Sequence, residues 1–182
     1  MNPENSETVS LRSKIGPYSD HFETYVKLVD EKNINASLKD QADEAETFFN
    51  SISEEKSFYK YAEGKWTIKE VLQHIIDAER VFAYRALAFA RKDKNNLSSF
   101  DENSYAANSH ADKRSWKELI EEFSAVRKSS EMLFNSFTED DLRSTGIASG
   151  SEISVLALGY VTVGHAKHHI NLIKERYLSI NK

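Results

Sequence analysis

The amino-acid sequence predicts an all-α fold, a four-helix bundle, on three observations. Both prolines, Pro3 and Pro17, lie near the N-terminus, so nothing after them must break a helix on that account. Four long segments repeat their apolar residues at helical spacing. No stretch holds a sustained alternation of apolar and polar residues, the mark of a half-buried strand. Four amphipathic helices in one chain bury their stripes most simply against one another.

The elements follow in order. Residues 1–15 read as a polar tail, and residues 16–182 as a single domain. Tyr18 to Leu28 predicts a short helix through Phe22, Tyr25, Val26 and Val29. The first long helix is expected from about Ala36 to Ser51, capped by Asn35, with Leu38, Ala45, Phe49 and Ile52 on one side. The second opens at Thr67, where Thr67 and Glu70 form a capping box in which each side chain satisfies the other's free backbone N–H. Ile68, Val71, Leu72, Ile75, Phe82, Ala86 and Phe89 carry its stripe. Lys92 to Arg114 is a long polar loop with a helical turn expected at Asp101–Ala107, and connections of that length are often functional. Ser115 and Glu118 open the third helix with a second capping box, and Thr138 and Asp141 cap a short turn after it. The Gly/Ser segment TGIASGSEIS then leads into the fourth helix, Val155 to Tyr177.

Composition narrows the function. With 24 basic and 29 acidic residues the net charge is −5, which lacks the clustered basic surface of a nucleic-acid binder. The absence of cysteine removes disulfides, thiolate metal sites and a cysteine nucleophile. The segment MNPENSETVSLRSK has no apolar core and predicts no secretory signal. The most apolar run, Val155 to Gly164, is about half of what a membrane span needs. A cytoplasmic protein is expected.

Histidines carry the chemistry. His165 and His169 are one helical step of four apart, so they share a face, and their stripe includes Val155, Leu158, Thr162 and Leu172. His74 shares a stripe with Val71, Ala78 and Val81 and also borders the core. Two such faces can converge in a bundle, and three neutral imidazoles suit Zn²⁺, Ni²⁺, Cu²⁺ or Fe²⁺ while leaving positions open to water or substrate. The bland alternative is three hydrogen-bonded core histidines. His168 competes as an i, i+3 partner of His165, but its stripe, with Gly164, Asn171 and Glu175, is more polar, which places it at the rim. His21 and His110 fall in polar segments and read as surface residues. HAKHH lacks the glutamate of the zinc-protease motif, since Ala166 stands at its place. A two-histidine-one-carboxylate set using Asp77 or Glu79 is a further arrangement, or Asp77 orients an imidazole from behind.

The chain resembles the DinB-like superfamily of DinB/YfiT-type metalloenzymes. The matching pieces are GKWTIKEVLQHIIDAERVFAYRALAFAR, FDENSY, and SVLALGYVTVGHAKHHINLIKERYL with its histidine spacing; together they reach from about Tyr18 to Leu178. The resemblance implies an up-down-down-up bundle with a long crossover between helices 2 and 3. It implies a divalent metal held by His74, His165 and His169, nickel or zinc foremost, with iron, manganese or copper as alternatives. It also implies a homodimer and a small-molecule substrate.

Three functions compete. The first is transfer to or from a low-molecular-weight thiol, as in bacillithiol S-transferases and mycothiol-dependent isomerases of this superfamily; the cosubstrate then supplies the sulfur the chain lacks. The second is a metal-dependent hydrolase, with Asp77, Glu79 and Glu175 as possible bases. The third is a non-catalytic metal or small-ligand binding bundle. Arg80, Tyr84, Arg85 and Tyr105 are candidates for steering substrate, each weighed against a structural or surface role, and Glu79 with Arg80 reads as a local ion pair.

Overall fold

The computed structural model of the protein describes residues 14–30 and 33–178. Four long helices dominate it: α1 (Ile34–Asn50), α2 (Ile68–Ala90), α3 (Trp116–Asn135) and α4 (Val155–Leu172). The capping boxes at Thr67/Glu70 and Ser115/Glu118 open α2 and α3, and a third, Thr138/Asp141, opens the turn Glu139–Arg143. Helix α1 starts earlier than expected. Asn33 caps it, its side chain accepting from the Asn35 N–H at 2.9 Å. Of the expected polar tail, residues 1–13 lie outside the described residues, while Ile15 is buried.

Contacts between helices fix their directions. The Trp116 indole N–H donates to the Phe49 carbonyl, so the end of α1 meets the start of α3. The Lys69 ammonium, at the start of α2, donates to the Arg114 carbonyl beside the start of α3, and Arg127 reaches Glu79 one level further along. Helices α2 and α3 are therefore parallel. The Tyr177 hydroxyl, beyond the end of α4, donates to the Trp66 carbonyl just before α2, so these two are antiparallel. The result is up-down-down-up. Parallel neighbours α2 and α3 require the long crossover 91–115, which carries the short helix Glu102–Asn108.

Two features depart from the sequence reading. The Gly/Ser segment is a β-hairpin, β1 (Thr145–Ala148) paired antiparallel with β2 (Ser151–Ser154). Its two-residue loop is Ser149–Gly150, both with positive φ (53° and 78°), the conformation that matches the twist of the flanking strands. Leu97 of the crossover joins its edge, the Leu97 N–H donating to Ile147 at 2.9 Å and Ser149 N–H to Leu97 at 3.0 Å. The second departure is at the end of α4, where Ile173–Leu178 widens into a π-helical turn that buries Tyr177.

The core is split into two apolar clusters. One gathers Leu38, Phe82, Phe89, Phe134 and Leu158; the other gathers Phe49, Ile68, Leu72, Trp116, Phe123 and Ile170. Among the buried polar residues that interrupt these apolar surfaces on α2 and α4 are His74, Glu79 and His165. Glu79 does not pair with Arg80, contrary to the local reading. It takes Arg127 of α3 at 2.8 and 2.9 Å, and Arg127 also binds the Gln41 amide oxygen of α1. Arg80 instead pairs with Glu122 at 2.6 Å and Asp77 at 3.7 Å.

Candidate metal centre

Helices α2 and α4 bring the three predicted histidines together. His74 Nε2 lies 3.0 Å from His165 Nε2, and His169 Nε2 lies 3.2 Å from the same atom. One nitrogen from each ring falls within 4.8 Å of the others, and among the described residues no carboxylate joins the group. His74 and His165 are buried; His169 is half-buried. His168 stands outside the group, its ring 5.1 Å from that of His169 and 5.3 Å from Tyr25.

The donor set fits a divalent cation. Ligand nitrogens about 2.1 Å from one ion at right angles stand about 3.0 Å apart, close to the two short separations here. Without an ion, three Nε2 atoms turned towards one another have too few protons and lone pairs to satisfy each ring. A cation accepts all three lone pairs at once. The rings are also neutral. Burial pushes His74 down to about 4 and His169 to about 3, and it holds His165 well below the usual range, with the neighbouring imidazoles adding to the shift in His165 and His169. Neutral imidazole is the ligating form.

Those shifts make stability depend on pH. The unfolded chain protonates these rings below about 6.5, while the folded one resists until about 4 at His74. The stability they contribute is complete above about pH 6.5 and is lost as the pH falls towards 4. Metal-free protein should lose about 2 kcal/mol per buried imidazole between pH 7 and 5. A urea midpoint unchanged over that interval would contradict neutral, buried rings.

The neighbours of the group are mostly aromatic. Trp66 packs on His74 with ring centroids 5.0 Å apart, and Phe82 and Tyr25 meet His165 edge-on at 5.6 and 5.2 Å. Tyr25 reaches His165 because Gly164 is next to it. A Cβ at Gly164 would sit 2.1 Å from the Tyr25 carbonyl oxygen, so only glycine lets the segment Glu23–Val26 lie against α4. Gly164→Ala should destabilise the protein by about 1–3 kcal/mol, the usual effect of forcing an extra methyl into a packed contact. An alanine variant with an unchanged thermal midpoint would sink this account.

The group borders two cavities. One, of about 290 Å³, is lined by His74 and His165 together with Phe22, Phe82, Arg85 and Glu102. The other, of about 230 Å³, is lined by His169, Trp66, Asn103 and Tyr177. Glu102 and Asn103 come from the crossover, so this connection closes over the histidines from outside.

The remaining sequence candidates take other places. Asp77 accepts from the Gln73 amide at 2.9 Å and pairs with Arg80, and Glu79 is committed to Arg127, so neither joins the histidines as a ligand or a prop. Tyr84 and Tyr105 are exposed. His110 is exposed as expected; His21 is exposed too, yet it lines the larger cavity. The sequence reading passed over Tyr25, Phe22 and Glu102 as site neighbours. Glu102 was within reach of it, since FDENSY is one of the pieces that carry the resemblance.

An up-down-down-up bundle with three imidazoles converging between its second and fourth helices defines a distinct class of helical protein. A family model of the DinB superfamily matches residues 37–173, and the chain belongs to that superfamily. Among solved structures it is similar to YfiT from Bacillus subtilis, described as a probable metal-dependent hydrolase with an unusual four-helix bundle topology. That likeness has a TM-score of 0.69 at 14% identity and covers 96% of this chain and 90% of the other. No curated protein matches the chain. Among the described residues no helix is long and apolar enough to cross a membrane.

Proposed function

We propose that the protein is a metal-dependent enzyme whose His74, His165 and His169 hold one divalent cation, nickel or zinc foremost. We further propose that it transfers a low-molecular-weight thiol to or from a small molecule. The observation that carries this reading is the convergence of three neutral imidazoles, two buried and one half-buried, on one point beside a cavity. A bound divalent cation lowers the pKa of a coordinated thiol or water, so that a nucleophile exists at neutral pH. The residues of the chain do the rest. The three rings fix the reacting position, and Phe22, Phe82 and Tyr25 keep water from its sides. Among the described residues no carboxylate stands within the histidine group, which suits a thiol, since it ionises more readily than water.

Hydrolysis is the second reading, and one observation favours it. Glu102 places a carboxylate on the wall of the cavity that His74 and His165 also line, and a carboxylate is a competent acceptor for the proton of an attacking water. YfiT's printed description agrees with that chemistry. The two readings separate in one assay. Zinc- or nickel-loaded protein is given bacillithiol with an aryl halide electrophile, and separately a panel of esters and amides without thiol. Thiol consumption that disappears in His74→Ala supports transfer. Ester or amide turnover that falls in Glu102→Gln supports hydrolysis. No turnover in either arm, from protein that holds its metal, would overturn both and leave a binding bundle.

A further inference from the structure

Arg85 is an oddity among the buried residues. It is 2% exposed, and burial pushes its pKa down from the usual arginine value. Buried cations are ordinarily paired with carboxylates. Arg127, in the same bundle, is paired with Glu79. Arg85 has no such partner among the described residues. Its Nη2 donates to the Ser98 carbonyl and the Ser149 hydroxyl, both at 2.9 Å, while its buried Nε–H finds no acceptor. The two acceptors are neutral, and they come from the crossover and the hairpin loop. They hold the guanidinium in place without neutralising it.

Its location gives the charge a use. Arg85 lines the cavity that His74 and His165 also line. The two α2 residues are eleven positions apart, close to three full turns, so they share a face about 16 Å apart along the axis. Helical side chains lean towards the N-terminus of their helix, which carries the long Arg85 side chain in the direction of His74. Glu102 lies on the same cavity wall but is exposed and makes no ion pair with Arg85 among the described residues. The same lining carries the aromatic rings of Phe22, Phe82 and Phe100.

We propose that Arg85 anchors an anionic group of the substrate: the cavity takes a small molecule with a carboxylate at the Arg85 end, an apolar middle, and its reacting group at the histidine end. The proposal rests on the larger cavity being the substrate pocket of the enzyme proposed above. Arginine suits the task because its planar donor fork matches a carboxylate. An unneutralised cation in a half-dry cavity also discriminates strongly against a neutral analogue.

The test uses 3-phenylpropionate and its neutral amide, 3-phenylpropionamide, titrated into metal-free and zinc-loaded protein. Metal-free wild type should bind the carboxylate at least about tenfold more tightly than the amide, as expected of a hydrogen bond to a charged group. Arg85→Met should bring the two affinities together, and Arg85→Lys should keep part of the gap. The Arg85 Nε–H resonance of the wild type should move on adding carboxylate and stay put with amide. That measurement needs no variant, so it decides the matter even if Arg85→Met does not fold. Equal affinities in metal-free wild type would overturn the proposal, as would a preference that survives Arg85→Met. A preference seen only with zinc present would also overturn it, because the carboxylate would then be ligating the ion. His74→Ala separates this proposal from the metal assignment: the carboxylate preference should persist there while zinc is lost. A wild type that selects the carboxylate but never binds zinc would uphold Arg85 and refute the metal site.

Discussion

A His165→Ala variant is expected to lose stoichiometric metal while keeping its fold. His165 Nε2 is the atom that both other imidazoles approach, at 3.0 and 3.2 Å, so its removal dissolves the group rather than trimming it. Loss of a residue that merely supports a ligand costs about 10- to 100-fold in metal affinity. Loss of the central imidazole of the proposed metal site should exceed about a hundredfold, read by calorimetry and by metal content of tag-free protein. His74→Ala and His169→Ala should follow in the same direction. His168→Ala should leave metal content unchanged, because its ring lies beside the group and outside it. The fold should survive in all four, since deleting a buried, uncharged imidazole leaves no unpaired charge behind. A His165→Ala protein that still binds one zinc with native affinity would refute the assignment.

The largest stability effect is expected elsewhere, at Arg127. Its guanidinium joins three helices through Glu79, Gln41 and the Leu38 carbonyl, and both charged partners are almost wholly buried, at 1% and 2% exposure. Removing one partner strands the other charge in a medium that solvates it poorly. Arg127→Met should therefore cost about 3–5 kcal/mol in urea denaturation. Replacing both, Glu79→Leu with Arg127→Met, should recover much of that loss, because two apolar side chains tolerate the site where one bare carboxylate does not. A single variant as stable as the double would show that the carboxylate is solvated after all.

These two residues also mark where the sequence could be read and where it could not. Local signals carried well. The capping boxes at Thr67 and Ser115 span four residues each, and the structure makes both. The step from His165 to His169 fixes a shared face by helical geometry alone, and the polar stripe of His168 set that residue apart. The start of α1 slipped because asparagines stand at both 33 and 35, and either is chemically able to cap. The hairpin was missed because four-residue strands are too short to establish an alternation. Its Ser-Gly loop was the available clue. Pairings across the bundle were beyond reach. Glu79 and Arg80 are neighbours in sequence but point to different helices, and Glu79 finds Arg127 forty-eight residues away. Arg85 depends on Ser149, sixty-four residues distant, in a hairpin the sequence did not announce.

The crossover has an evolutionary reading as well. With α2 and α3 parallel, the chain must travel back along a 23-residue helix, about 35 Å, before α3 can begin. Most bundles avoid that detour with a tight turn. Here the detour is where Leu97, Ser98, Phe100 and Glu102 meet the hairpin, Arg85 and the cavity. Part of the cavity wall, at Phe100 and Glu102, thus comes from a segment separate from the four long helices. With the cavity as the substrate pocket proposed above, substitutions at Phe100 and Glu102 should change its ligand preference while the four helices keep the histidines and the core in place, so one rigid frame would diversify by revising a single strap.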